Sequence, residues 1–286
     1  NQSSGKCNVV IGCQAMYNAA GGDEFVAVGH KAGYSNNADF NTAIGSCALY
    51  SNTTGTGNLA VGHCSLYASV TSSNNVAVGD QAIRNNTTGC SNVGVGAHAL
   101  IVNTEGAHNQ AMGTEALKSN TTGCKNIGIG TEALRTNSTG CGNIAVGYAA
   151  MYSHGTAGLN TAVGNCAMYN NTGANNTGVG ENALYGNTSG LFNVGLGSSS
   201  GYGNTDGDYN VFVGRGAGGY LANGSSTLTS PDNSTYIGAC TRGCAVGDSN
   251  VTVIGYCACA CGDNTVSIGN CDVTNTYITG NTTVTG

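Results

Sequence analysis

A glycine preceded by an apolar residue returns thirteen times between Gly12 and Gly214, and ten of the twelve intervals are 17 residues while two are 16. So short and regular a period leaves no room for a helix pair with its loops, which excludes the helical solenoids. One coil of a β-solenoid does fit, with short strands joined by turns and each coil stacked on the last at roughly 4.8 Å. Thirteen such coils make a rod on the order of 60 Å long. The chain is therefore read as all-β, a solenoid of 17-residue coils over residues 1–218. An irregular loop at 219–237 follows, holding the single proline, Pro231. In the last segment, 238–286, Gly238, Gly255 and Gly269 resume the pattern, and residues 277–280 read as a Thr-rich strand.

Aligned on the glycine, the sequence falls into columns. The residues one and three before it are mostly β-branched, as in Val76 and Val78 or Val93 and Val95. Alternation puts both on one side of a strand, and their type suits a pleated, buried face. Between them stand Ala43, Ala60, Ala77, Gly94, Ala111, Gly128, Ala145 and Ala162. A column held to Ala and Gly implies that another backbone lies close, so these eight are expected to face a neighbouring chain. Four after the glycine runs an apolar ladder that includes Leu49, Leu66, Ile83, Leu100, Leu117 and Leu134. Five after it runs a tyrosine ladder interrupted by Arg84, Lys118 and Arg135. Asn stands four before the glycine in eleven consecutive coils, from Asn41 to Asn210, where it can stack along the rod and tolerate a left-handed corner.

The motif Asn-x-Ala-(Ile/Val)-Gly at residues 41–45, 58–62 and 75–79 resembles the head repeat of trimeric autotransporter adhesins. The longer stretch 41–55 is similar to repeats of viral and phage tail-fibre-like proteins. Adhesin heads favour coils of about fourteen residues, a spacing found here only from Gly255 to Gly269, so the fibre type fits better. The resemblance implies a left-handed β-roll in a parallel homotrimer. It further implies a structural, non-enzymatic fibre outside a cell or on a virion, adhesive through a cell-surface or glycan receptor. Head-to-tail filaments are a further expectation, because solenoid ends expose unpaired strand edges.

Only 8% of residues are charged, and 8 basic against 14 acidic side chains give a net charge of −6, so no basic patch serves a nucleic-acid backbone. No apolar run approaches the ~20 residues of a membrane span. Nothing in the sequence calls for a cofactor or a metal. Fourteen cysteines are the strongest chemical signal. Equivalent Cα atoms of neighbouring coils lie about 4.8 Å apart, inside the disulfide window. Cys47–Cys64, Cys124–Cys141, Cys240–Cys257 and Cys244–Cys261 are thus candidate bridges in an oxidising compartment. Free or interchain thiols are one rival reading. Zinc at the alternating Cys257, Cys259 and Cys261 is another, opposed by the lack of any Cys-x-x-Cys pair.

Glu115 and Glu132 share a column on adjacent coils, a carboxylate separation compatible with a glycan-cleaving tailspike. Lys118 and Arg135, three residues on, favour a surface ion-pair cluster instead. A single file of threonines, Thr53, Thr87, Thr104, Thr121, Thr172, Thr188 and Thr205, admits an ice-binding surface as the alternative function. Asp206 and Asp208 read as a turn rather than a calcium site. Sequons recur at one turn position, Asn52, Asn86, Asn120, Asn137 and Asn187, which makes those residues glycosylation candidates.

Overall fold

The computed structural model describes residues 5–274, so the strand expected at 277–280 lies outside them. Thirteen three-residue strands, β1 (Val9–Ile11) to β13 (Val211–Val213), occupy the three positions before each repeat glycine. They are followed by β14 (Tyr220–Leu221), β15 (Thr235–Ile237), β16 (Arg242–Gly243), β17 (Thr252–Ile254) and β18 (Val266–Ile268). Sixteen strands form one parallel sheet in chain order, with β13 pairing directly to β15 and only β14 and β16 standing apart as a second small sheet. Register never slips: Val76 pairs Val93, Ala77 pairs Gly94 and Val78 pairs Val95, and so on along the rod. The molecule is a parallel β-solenoid, without a helix among the described residues.

The repeat glycine closes each strand from β1 to β13 with a φ between +125° and +141°, and its neighbours explain why no other residue serves. A Cβ built on Gly113 would stand 2.5 Å from the carbonyl oxygen of Gly130 on the next coil. The corner that follows is left-handed at two further positions, for example Cys47 (φ 56°) and Leu49 (φ 48°). That conformation is costly for branched side chains, yet Ile83 adopts it at φ 49°. It persists because the corner amides bond the adjacent coils: the Leu49 N–H donates to the Ser65 carbonyl and the Cys47 N–H to the His30 carbonyl, both at 2.9 Å.

The inside and outside of the strands are the reverse of the sequence expectation. Ala43, Ala60, Ala77, Ala111, Ala145 and Ala162 are fully buried within a single chain, and Gly94 and Gly128 are buried with them. They line the interior and cannot touch a second chain. The β-branched columns point outward instead. The reason is width. Each coil interior admits one large side chain from the apolar ladder, so the strand opposite must present something small. A Cβ on Gly94 would come within 2.6 Å of Ile83 Cγ1, and one on Gly195 within 2.9 Å of Leu184 Cγ. Where the strand centre is large, the facing residue shrinks: Phe212 packs over Gly201 and Gly218, whose added Cβ atoms would stand 2.6 and 2.3 Å from its ring. Such volume matching is what a close-packed interior requires.

Two buried asparagine columns complete the interior. In the first, the Asn126 N–H donates to Asn109 Oδ1 at 3.0 Å, and its Nδ2 donates to the Gly140 carbonyl at 2.7 Å. The pattern repeats with the Asn143 N–H on Asn126 Oδ1 at 3.0 Å. In the second, Asn103 Nδ2 donates to Asn86 Oδ1 and Asn120 Nδ2 to Asn103 Oδ1, both at 2.7 Å. Each amide thus satisfies backbone groups at a corner that water does not reach.

Candidate functional site

The feature most exposed to a partner is the outer surface of the long sheet. Because small side chains fill the interior, the residues one and three before the repeat glycine point out. The first is apolar in all sixteen strands of the sheet, and the second is polar at Thr42, Gln110, Thr161, Thr177, Thr235 and Thr252. Ile44, Met112, Ile129, Val163, Leu196 and Ile254 keep 37–44% of their surface exposed. The paired column, with Val26, Val76, Val93 and Val211, lies half-buried beside it. Parallel, in-register pairing turns these residues into one continuous apolar file along the rod and a second that threonines and Gln110 interrupt. A soluble monomer rarely shows so long an apolar patch.

Along an adjoining corner run the tyrosines. Tyr17, Tyr34, Tyr50 and Tyr67 stack with ring centroids 4.8–5.8 Å apart, and Tyr152, Tyr169, Tyr185 and Tyr202 form a second stack at 5.0–5.3 Å. Between the stacks the column turns basic. Arg84 lies 5.6 Å from the Tyr67 ring centre and Arg135 5.2 Å from that of Tyr152, so guanidinium groups end both stacks.

The two glutamates sit in this basic stretch. Glu115 accepts from Lys118 Nζ and from Arg135 Nε, both at 2.7 Å, while Glu132 Oε1 lies 3.6 Å from the same Nε. Hydrogen bonds from Lys118 and then Arg135 hold the Glu115 carboxyl below the usual carboxylate range. A general acid in glycoside hydrolysis needs the opposite shift. The geometry is that of a salt-bridged ridge. It continues through His98, 3.9 Å from Glu115 and 3.7 Å from Asp80, to His63, whose Nδ1 lies 2.9 Å from Asp80.

All fourteen cysteines are free thiols, and no disulfide links the four expected pairs. The sulfurs of Cys124 and Cys141 nonetheless lie 2.9 Å apart on adjacent coils. That contact, then burial, pushes the Cys124 thiol up, and burial followed by the charge of Cys47 raises Cys64. Protonated thiols of this kind are poor nucleophiles at neutral pH. For Cys240 and Cys257 the structure brings adjacent corners together, with both residues left-handed, at φ 56° and 52°. Cys244 and Cys261 are exposed and separately engaged: the Cys244 N–H donates to Asp248 at 2.8 Å, and Cys261 accepts from Ser267 at 3.6 Å. No trio of His, Cys, Asp or Glu among the described residues is placed to hold a metal.

The glycosylation candidates Asn52, Asn86, Asn120, Asn137 and Asn187 form part of the second buried column and are fully inaccessible. Their Nδ2 atoms, which a glycan would occupy, donate instead to interior carbonyls, as Asn86 does to Gly89 at 2.7 Å. The turn position is shared because it is an interior corner, so these sites do not suit modification of the folded rod. The threonine file likewise spends its hydroxyl protons within the rod: Thr53 donates to the Val70 carbonyl and Thr87 to that of Thr104, both at 3.0 Å. Thr104, Thr121, Thr188 and Thr205 do the same. So does Thr172, toward the carbonyl of Thr188. Asp206 accepts from Thr205 and Ser230, and Asp208 accepts from the Leu191 N–H at 2.7 Å, which makes both structural.

His154 takes an asparagine position in the second column, a substitution whose consequence sequence reasoning missed. It is fully buried, with Nδ1 and Nε2 each 3.0 Å from a carbonyl oxygen, of Asn171 and Ala157. A neutral imidazole has one N–H for these two acceptors. Burial pushes its pKa down against the opposing pull of the two carbonyls. Because the unfolded chain then takes up the proton more readily, the rod loses stability as pH falls below ~6.5, the unfolded value. His154→Asn is expected to add about 1 kcal/mol by restoring the amide bonds. It should also flatten the decline between pH 7.5 and 5.5 in thermal unfolding. An unchanged slope in the variant would assign the pH dependence elsewhere.

Fold and surface together define a single-chain parallel β-solenoid with an apolar outer sheet. No protein-family model matches the chain, and no curated protein aligns with it significantly. No helix among the described residues is long and apolar enough to cross a membrane.

Proposed function

We propose that the chain is a structural fibre module, displayed outside a cell or on a virion, that assembles as a parallel homotrimer through the outer face of its long sheet. The continuous outward apolar file, flanked by a second file in which threonines and Gln110 interrupt the apolar residues, carries this reading. Sixteen strands at ~4.8 Å and three residues of ~3.3 Å give a face of roughly 75 by 10 Å, about 750 Å². Standard stable interfaces bury about 800 Å² per partner, so the face is of the right size. The resemblance of residues 41–55 to tail-fibre-like repeats supports three chains about one axis, with the apolar files turned inward. An adhesive role, a glycan or cell-surface receptor and head-to-tail growth belong to the same reading.

The test is mass in solution. The wild-type chain should sediment at three times its own mass. Ile129→Lys combined with Val163→Lys places two ammonium groups in the face and should release monomers, with circular dichroism and thermal midpoint little changed. A wild-type protein that sediments as a monomer at micromolar concentration would end the proposal.

A further inference from the structure

The longest interval between repeat glycines, 24 residues from Gly214 to Gly238, holds an insertion, and a cavity opens there. At the coil of Gly214, the positions that elsewhere carry corner side chains are Arg215, Gly216, Ala217, Gly218 and Gly219. The column two after the glycine thus reads Ser199, Gly216, Cys240 on three successive coils. A Cβ on Gly216 would meet nothing within 4 Å, which marks the missing side chain as empty space. The tyrosine column also ends here, since Tyr202 is followed by Gly219 and Gly243. Over this gap folds the insertion, pinned by pairing of Tyr220 with Arg242 and of Leu221 with Gly243. The result is a pocket of about 300 Å³ lined by Ser199, Arg215, Gly216, Tyr220, Cys240 and Arg242, with Gly224 at its rim.

Its charge is unlike the rest of the molecule. The acidic chain has four arginines, and two of them line this one pocket with no carboxylate beside them. The other two arginines are matched, Arg135 to Glu115 and Arg84 to the Tyr67 ring. Arg215 and Arg242 form no ion pair among the described residues. Arg242 is held in place by Nη1, 3.4 Å from the Ala222 carbonyl, and by the close approach of Gly224, whose Cβ would stand 3.2 Å from that nitrogen. Two guanidinium groups without counter-charge are what an oxyanion requires, since each offers a planar fork of donors. The volume exceeds that of a bare tetrahedral ion and falls at the lower end of small-ligand sites. Tyr220, 42% exposed, supplies an aromatic surface beside the charges.

We infer that this pocket binds a sulfate or carboxylate group carried on a sugar, with Arg215 and Arg242 on the oxyanion and the Tyr220 ring against the apolar edge of the saccharide. The inference stands whether or not the chain is a trimeric fibre, because every lining residue belongs to one chain.

Calorimetric titration of the whole chain at low salt tests it with three probes: a sulfated disaccharide, its desulfated counterpart and inorganic sulfate. The sulfated sugar should bind once per chain, at least tenfold more tightly than inorganic sulfate, and the desulfated sugar should not bind. Arg215→Gln, which removes an exposed side chain outside the core, should weaken binding at least tenfold at an unchanged thermal midpoint. Gly216→Met keeps both arginines and fills the gap. Its neighbours Ser199 and Cys240 hold the same left-handed backbone, so the variant should fold and lose the ligand. Equal binding of the desulfated sugar, or undiminished binding by either variant, overturns the site. Inorganic sulfate binding as tightly as the sulfated sugar overturns the saccharide and leaves a free oxyanion as the ligand.

Discussion

Gly113→Ala will unfold the rod far more readily than its single added methyl suggests. The new Cβ would lie 2.5 Å from the Gly130 oxygen, 2.6 Å from its carbonyl carbon and 2.9 Å from the Thr131 nitrogen, all backbone atoms of the next coil. No side chain can turn aside to relieve the overlap, so two coils must separate. The φ of +141° adds strain that only glycine avoids. Backbone strain of roughly 1–3 kcal/mol and a similar overpacking cost give an expected loss of about 3–5 kcal/mol in chemical denaturation. Gly216→Ala is the control. Its φ of +61° is one that non-glycine residues adopt at the same column, and its Cβ meets nothing, so it should cost about 1 kcal/mol. Similar losses in the two variants would show that the close approach of coils is not what demands glycine.

Asn126→Ala is the second large effect, and it arises from groups left behind. The Asn143 N–H loses its acceptor at 3.0 Å, while the Gly140 carbonyl loses one donor at 2.7 Å and keeps Asn137 Nδ2 at 3.1 Å. Both corners are closed to water, so the one stranded N–H costs about 1–3 kcal/mol, and with the second lost bond the variant should lose about 2–4 kcal/mol. Thr121→Val deletes a hydroxyl that donates to the Ser138 carbonyl at 3.1 Å on the half-buried edge. Water can replace that bond, so the loss should stay below about 1 kcal/mol. Should the two losses be equal, burial would not be what gives the asparagine columns their weight.

The coil period and every strand from Val9 to Val213 were legible in the sequence, because the repeat glycine marks the one backbone position where the next coil presses. Which side of the strand faced inward was not. Alternation tells which residues share a face, and β-branched residues suit a buried one, but neither reveals how wide the interior is. A narrow coil with a leucine in it has room for alanine only. The clue lay in paired volumes: glycines at 201 and 218 flank Phe212, while alanine or glycine stands opposite each leucine. Sequon asparagines were misplaced for a related reason, since a polar residue recurring at one register looked like an exposed turn and is an interior corner. The ion-pair ridge at Glu115 was readable from the three-residue spacing to Lys118. The pocket at Arg215 showed only as a run of small residues where corner side chains were due. What filled that space depended on the folding of the insertion, which no repeat predicts.

Nearly every backbone bond between coils runs along the rod axis, from one turn to the next. Axial tension on a lone chain therefore loads these turn-to-turn links in series, and the molecule holds only as firmly as its weakest junction. Compression and bending are resisted differently, because they press closed the same contacts that tension opens. Taken singly, the rod is a strut rather than a cable. Binding such struts side by side along their apolar faces would put parallel chains in shear against one another, so that a failure in one coil is carried across by its neighbours.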